Sequence, residues 1–143
     1  MQTYSFKDVT GSFLHPSVGA FNFDGVGIGE ISVGMANERT VHEPTADGKV
    51  MVSKLEVHNG QITIQCPQTS DLNAFLQGWF NYVDHADSSE WATAALLVRC
   101  VVTGKTHACT GVSPQKEPDQ VYQKQEQMVS WILMAADIRT MNA

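Results

Sequence analysis

Alternation of apolar and polar residues predicts β-strands over most of this chain. The segment EISVGMA (30–36) divides into two faces, because successive side chains of a strand point to opposite sides. The apolar face carries Ile31, Val33 and Met35. The opposite face is small or polar and carries Glu30, Ser32, Gly34 and Ala36. The segment QITIQC (61–66) alternates in the same way, so each segment is predicted to be a strand with one buried face.

Two further segments are apolar on both faces of the predicted strand. In KVMVSKLEV (49–57), three apolar residues follow one another from Val50 to Val52. The strand predicted over residues 127–138 contains the run WILM (131–134). Strands that are apolar on both faces are usually covered on both. We therefore expect these two strands to be buried within the subunit or covered by a neighbouring one.

Glycine and proline mark the connections between strands. Three dipeptides predict tight turns, namely Asp47-Gly48, Asn59-Gly60 and Gly104-Lys105. Such pairs favour turns because glycine, and to a lesser degree asparagine and aspartate, accept the positive φ that a two-residue hairpin needs. Pro114 and Pro118 predict an exposed loop over residues 113–120.

One helix is predicted, over residues 71–85. Its apolar residues recur at helical spacing and form one stripe, made of Leu72, Phe75, Leu76, Trp79, Phe80 and Val83. Ser70 is a favourable N-cap, and Asp71 suits the positive end of the helix dipole. We expect the stripe to pack on a sheet, with its central residues Phe75, Leu76, Trp79 and Phe80 as anchors in the core.

About seven or eight strands and one helix predict a mainly β fold. We expect an antiparallel β-sandwich or partly closed barrel with the 71–85 helix packed against it. A length of 143 residues suits one compact domain, so residues 1–143 are predicted to form a single unit.

The composition and the net charge of the chain argue against some classes of function. Only 17% of the residues are charged, against about 25% in typical soluble proteins, as expected of a surface that other subunits cover. A net charge of −6 argues against a protein that grips nucleic acid. We find no signal peptide and no apolar stretch long enough to span a membrane, and we expect no membrane insertion. The cysteines lack metal-ligand spacing and are interpreted as free thiols in a reducing cytosol.

Two short patterns suggest chemistry but have simpler interpretations. The segment GVGIG contains Gly25, Gly27 and Gly29, as a phosphate-binding loop would. Such a loop must open a helix, however, and here a strand follows. The segment DHAD (84–87) offers oxygen and nitrogen ligands, but neighbouring positions of a helix point in different directions. We interpret the first as a bend between strands and the second as a solvated helix end.

The histidines are scattered without a repeated spacing, at His15, His42, His58, His85 and His107. His107 and Cys109 lie two residues apart and share a strand face, so they could begin a metal site or a Cys–His dyad. The sequence supplies no further ligand for them. The tryptophans Trp79, Trp91 and Trp131 lack interleaved basic residues and are interpreted as core or interface residues. We therefore predict no enzymatic activity, no cofactor and no metal.

One order of elements runs from Tyr4 to Ile138 and combines several specific segments. These are Ala46-Asp47-Gly48, Ile62-Thr63-Ile64 and Gln68-Thr69-Ser70 with Asn73, together with the YSFKD (4–8) start and the terminal WILMAADI (131–138) strand. This order resembles that of the tail tube proteins of contractile-tailed bacteriophages. The chain departs from the family pattern in a long irregular stretch between Phe13 and Gly29.

The resemblance implies a structural subunit of a virion. Hexameric rings of it would stack into a tube that conducts DNA into the host, with strands of six subunits forming an inner barrel. The implied partners are other copies of the chain, tail sheath, baseplate, tail terminator and tape measure proteins, and genomic DNA in the lumen without specific binding. The protein would be made in the bacterial host cytoplasm.

Two parts of the chain fit this role as site candidates. The small or polar face formed by Glu30, Ser32, Gly34 and Ala36 suits a lumen, because a neutral or acidic wall does not hold phosphate. The polar hairpin tip with Pro44, Thr45, Asp47 and Gly48 is the candidate for contact with the next ring. The alternatives are a tube protein of the secretion-system type and a ligand-binding or enzymatic β-barrel that uses His107 and Cys109.

Overall fold

The computed structural model describes residues 8–24, 29–125 and 127–142. These residues form nine strands, one α-helix and a short 3-10 helix. The strands are β1 (Val9–His15), β2 (Gly19–Asp24), β3 (Glu30–Met35), β4 (Thr40–Pro44), β5 (Val50–Lys54), β6 (Gly60–Pro67), β7 (Ala94–Cys100), β8 (Lys105–Pro114) and β9 (Met128–Asn142). The helix α1 spans Asp71–His85, and the 3-10 helix spans Ser88–Glu90.

Seven strands form one antiparallel sheet in the order β2-β1-β7-β8-β9-β6-β3. The sheet curls into a half-barrel. Its open edges are β2 and β3, which each have one strand neighbour in the described chain. The remaining strands, β4 and β5, pair with each other in a separate antiparallel hairpin. The predicted mainly β, partly closed barrel with one packed helix is therefore confirmed.

The core lies between the apolar face of the sheet and α1. On β6, buried and half-buried residues alternate strictly, as its sequence predicts. The buried residues of α1 are Leu72, Asn73, Leu76, Trp79 and Val83. The Trp79 ring packs edge-on against Phe13 of β1, with ring centroids 4.8 Å apart. Residues repeating every second position on the strands thus meet residues repeating at helical spacing on α1.

The helix begins and ends where the sequence predicts it. The Ser70 hydroxyl oxygen accepts a hydrogen bond from the Asn73 backbone N–H at 3.2 Å, which satisfies one of the free donors of the first turn. The Asn73 side chain donates to the Gln68 carbonyl oxygen at 2.9 Å and accepts from the Trp131 indole N–H at 2.9 Å. This buried amide therefore fixes the start of α1 to β9.

The predicted hairpin turn at Asn59-Gly60 is wrong. β5 pairs with β4 rather than with β6, and Gly60 is the first residue of β6, where it lies opposite Met35 and Ala135. The structure requires glycine there for a different reason. A Cβ at position 60 would collide with the Gly34 carbonyl oxygen and with the side chain of Ile138. The glycine thus permits close approach of neighbouring strands rather than a turn.

The return strand predicted over residues 49–57 is shorter and is not buried within the subunit. It is β5, and every residue of β4 and β5 is exposed. The second part of the expectation, cover by a neighbouring subunit, is not tested by a single chain.

The other boundaries shift by a few residues. Pro114 is buried at the end of β8 opposite Leu133, so the predicted loop begins at residue 115 rather than 113. The last strand continues four residues beyond Ile138, to Asn142. Ala36 lies just beyond β3, and its N–H donates to the Asn59 carbonyl oxygen at 3.1 Å. The YSFK part (4–7) of the start that carries the family resemblance and glycines 25 and 27 lie outside the described residues.

Candidate assembly surfaces

The outward face of β3 continues across two neighbouring strands as a nearly uncharged surface that is polar on β6 and partly apolar on β9. On β3 the outward residues Glu30, Ser32 and Gly34 are exposed. The strand register places Gln65, Thr63 and Gln61 of β6 beside them, and Ser130, Ile132 and Met134 of β9 next in line. Glu30 is the one charged residue in these aligned positions. The surface can therefore neither attract nor strongly repel a polyanion at close range.

The β4–β5 hairpin projects from the sheet with a well-ordered tip. The Thr45 N–H donates to the Lys49 carbonyl oxygen at 2.7 Å, and the Gly48 N–H donates to the Thr45 carbonyl oxygen at 3.1 Å. Gly48 has a φ of 85°, which glycine adopts without strain. Hydrogen bonds from the Thr45 hydroxyl and then the Lys49 N–H lower the pKa of Asp47. The tip therefore presents an ionised carboxylate at neutral pH.

Both strands of the hairpin carry exposed apolar side chains. Val50, Met51 and Val52 are 54%, 58% and 66% exposed, and Val41 is also exposed. A two-stranded hairpin with no packed face is marginally stable in water. Exposed apolar residues on such an element make it a candidate contact surface.

The predicted helix anchors differ in burial. Leu76 and Trp79 are completely buried, whereas Phe75 and Phe80 are half-buried and pack against the core from its edge. The Phe75 ring stacks on Phe21 of β2 at 5.1 Å between centroids. The Trp79 indole N–H is buried and has no hydrogen-bond partner in the described structure, so this residue is held by apolar packing alone.

A buried histidine joins β1 to the segment after α1, and the sequence reasoning missed it. The His15 Nδ1 atom accepts hydrogen bonds from the N–H groups of Ser17 and Val18 at 3.1 and 3.3 Å. Its Nε2–H therefore faces the Glu90 carbonyl oxygen at 3.3 Å. The hydroxyls of Ser17 and Tyr82 donate to the Glu90 carboxylate and lower its pKa. The available signal was the position of His15 on the same strand face as Phe13.

The residues proposed for chemistry do not form a reactive site. Burial raises the pKa of the Cys109 thiol to about 11, so the sulfur is protonated and is not a nucleophile at neutral pH. Loss of hydration lowers the pKa of His107, whose Nδ1 lies 2.9 Å from the Thr140 hydroxyl oxygen. His85 of the 84–87 segment is bonded within its own helix, to the Asn81 carbonyl oxygen.

Within residues 8–24, 29–125 and 127–142, no group of three or more His, Cys, Asp or Glu residues could hold a metal ion. No helix there has the length and apolar character needed to cross a bilayer.

The curled sheet with open edges, the packed helix and the exposed apolar hairpin define a mainly β protein with a partly closed barrel. The comparison with protein families shows which family of such proteins it belongs to. The model of the family described as Bacteriophage PhiTE tail tube protein matches residues 1–142, and the chain belongs to this family. It is a structural tube protein of the phage-tail type and not an enzyme.

Solved structures with the same fold come from contractile injection systems. A chain in the anti-feeding prophage baseplate is 14% identical, with a TM-score of 0.67, and 99% of this chain and 97% of that chain are covered. A chain in the anti-feeding prophage tube-terminating cap is 10% identical, with a TM-score of 0.65 and coverage of 100% and 93%. A chain in the PVC sheath-tube complex is 10% identical, with a TM-score of 0.60 and coverage of 99% and 93%. No curated protein matches the chain.

Proposed function

We propose that this protein forms hexameric rings that stack into the tail tube of a contractile-tailed phage. The observation that carries the proposal is the exposed β4–β5 hairpin on a chain of the tail tube family. Its apolar residues need cover that the described part of its own chain does not supply. The open edges β2 and β3 support the same proposal, because unpaired edge strands can join the sheets of adjacent subunits.

The lumen of the tube would be lined by the polar surface that begins on β3. Glu30, Ser32, Gly34 and Ala36 are all exposed, as a lumen position requires. DNA must slide through such a channel without being held, and binding to DNA depends mainly on Lys and Arg contacts to phosphate. A wall of Ser, Thr, Gln and small or apolar residues, with a single Glu, gives phosphate no such contact.

The hairpin tip would reach the next ring, through Pro44, Thr45, Asp47 and Gly48. The whole 1–143 chain would act as one tube domain, in the virion, after synthesis in the host cytoplasm. Sheath, baseplate and terminator proteins would be its partners, a proposal supported by the origin of similar folds in sheath-tube, baseplate and cap assemblies. A tape measure protein and genomic DNA would occupy the lumen in turn.

A tube of an injection or secretion system is the second candidate. The observation that favours it is that the folds compared above come from the anti-feeding prophage and an extracellular contractile injection system. The ring and the lumen would be built in the same way, and the cargo would differ.

The lumen assignment predicts how a thiol at position 32 reacts in assembled tubes. A Cys100→Ser background removes the half-buried cysteine whose pKa is lowered by the Thr103 hydroxyl. In that background, Ser32→Cys should react with a small maleimide but not with a maleimide on a polymer too large for the channel. Asn81→Cys on the exposed face of α1 is the matched control and should react with both reagents. Equal reaction of the large reagent at positions 32 and 81 would contradict a lumen position for β3.

A further inference from the structure

A shallow trough crosses the outward face of β2, β1, β7 and β8. It consists of two adjoining depressions of about 550 and 210 Å³ that share Ser12 and Leu97 as lining residues. One end is apolar, with Leu14 52% exposed and Leu97 42% exposed. The register sets Ala95 beside Leu14 and Ala108 beside Leu97, which deepens this end because both alanines are small. An exposed apolar depression in the middle of a sheet indicates a contact surface.

The other end of the trough is charged. Arg99 of β7 lies beside Thr10, which in turn lies beside Asp24 of β2. These positions carry one positive and one negative side chain on the same outward face. The trough thus changes from apolar to charged along the direction of β7.

The β4–β5 hairpin has the same order of apolar and charged residues along its length as the trough. Residues opposite each other in an antiparallel pair share a face, so Val50 lies with Pro44 and Val52 with His42. Met51 and Glu43 lie on the opposite face of the hairpin. Beyond Val50 the tip carries one negative and one positive residue, Asp47 and Lys49. The hairpin therefore also changes from apolar to charged.

The two surfaces agree in length. Ala95 and Arg99 are separated by the same number of residues along β7 as Val52 and Gly48 are along the hairpin. At the usual strand rise, Ala95 and Arg99 lie about 13 Å apart on β7, and Val52 and Val50 lie about 7 Å apart on β5 with the turn beyond them. With Val52 placed over Ala95, Val50 falls over Leu97 and the tip falls beside Arg99.

We propose that the β4–β5 hairpin of one copy lies in this trough of a second copy, with Val50 over Leu97 and Asp47 beside Arg99. This inference rests on the proposed function and names the surface that receives the hairpin. The contact joins two different surfaces of identical chains, so it is heterologous. A heterologous contact repeats from copy to copy, which a ring or a stacked tube needs and a closed dimer does not.

Cysteine cross-linking tests the contact in assembled tubes of the full chain. In the Cys100→Ser background, Val50→Cys with Leu97→Cys should give a ladder of covalent oligomers on oxidation, and reduction should remove it. Met51→Cys with Leu97→Cys is the matched control, because Met51 is the next residue but faces away. It should cross-link about tenfold less, since a disulfide needs Cβ atoms within about 4.5 Å of each other. Mixing the two single variants Val50→Cys and Leu97→Cys should give covalent dimers, which shows that the contact is between copies.

A charge exchange tests the register of the same contact. Arg99→Asp should weaken tube formation, and Asp47→Arg should restore it when both changes are present. If tubes form but cysteines at positions 50 and 51 cross-link equally well to a cysteine at position 97, the inference is overturned. The proposed function would remain intact. If neither the unaltered chain nor the Cys100→Ser protein forms tubes under the same conditions, both the inference and the proposed function are overturned.

Discussion

Replacing Trp79 with alanine is expected to lower the free energy of unfolding by about 3–5 kcal/mol. Trp79 is completely buried between α1 and the sheet, and its ring packs against Phe13. Its indole N–H has no partner among the residues that the structure describes, so the loss comes from apolar contacts and from the cavity that remains. Proteins of this size are stable by about 5–15 kcal/mol. The substitution therefore removes a large part of the total stability.

Denaturant unfolding of the unassembled subunit measures this effect. Gly78→Ala is the matched control, because Gly78 is the preceding residue of α1, is exposed and has open space where a Cβ would lie. Alanine in place of glycine within a helix should stabilise the protein by about 0.5–1 kcal/mol. A Trp79→Ala subunit with unchanged unfolding would show that the contact between α1 and the sheet is not a main source of stability.

Deletion of Thr45–Gly48 is expected to abolish ring stacking and leave the subunit folded. The deleted residues form the tip of the hairpin, where Thr45 is half-buried and the other three are exposed, and none of them belongs to the buried core. Without the tip, β4 and β5 lose the turn that joins them, but the seven-stranded sheet and α1 keep all their pairings. The proposed contact with the next ring is lost.

Thermal melting and electron microscopy of the same preparation separate the two effects. Ala46→Ser, which keeps the tip and its hydrogen bonds, is the control and should melt and assemble like the unaltered protein. Normal tubes from the shortened chain would refute the stacking role. An unfolded shortened subunit would instead place the hairpin among the elements that the fold needs.

The helix could be predicted from sequence because its signals are local and agree with one another. Ser70 caps the first turn, the apolar stripe has one period, and both are decided within a few residues of chain. The strict alternation of β6 was equally informative, since each buried residue has a half-buried neighbour.

The Asn59-Gly60 turn could not be predicted correctly because its alternative depends on distant residues. From the local sequence alone, an Asn-Gly pair predicts a hairpin turn. The close approach of Gly34 and Ile138 to Gly60 brings together three strands that are far apart in sequence. The exposed β5 shows the same limit, because three consecutive apolar residues predict cover but not whether the cover comes from the same chain.

The candidate surfaces also combine features that the local sequence predicts with features that depend on the fold. The exposed face of β3 follows from alternation, whereas its continuation onto Gln61, Thr63 and Gln65 needs the strand register. The His15 network joins residues from β1 to Thr93, so the strand face that His15 shares with Phe13 indicates its burial but not its distant partners. The roles of the β3 face and the hairpin tip in a tube stay predictions.

Electron microscopy of the concentrated, purified protein tests the central claim most directly. Negatively stained images are expected to contain rings with six-fold end views, and hollow tubes at high concentration or when baseplate proteins nucleate them. Light scattering on the same samples should show the corresponding rise in mass. A single monomeric species in both measurements, across a wide range of concentration, would contradict the account.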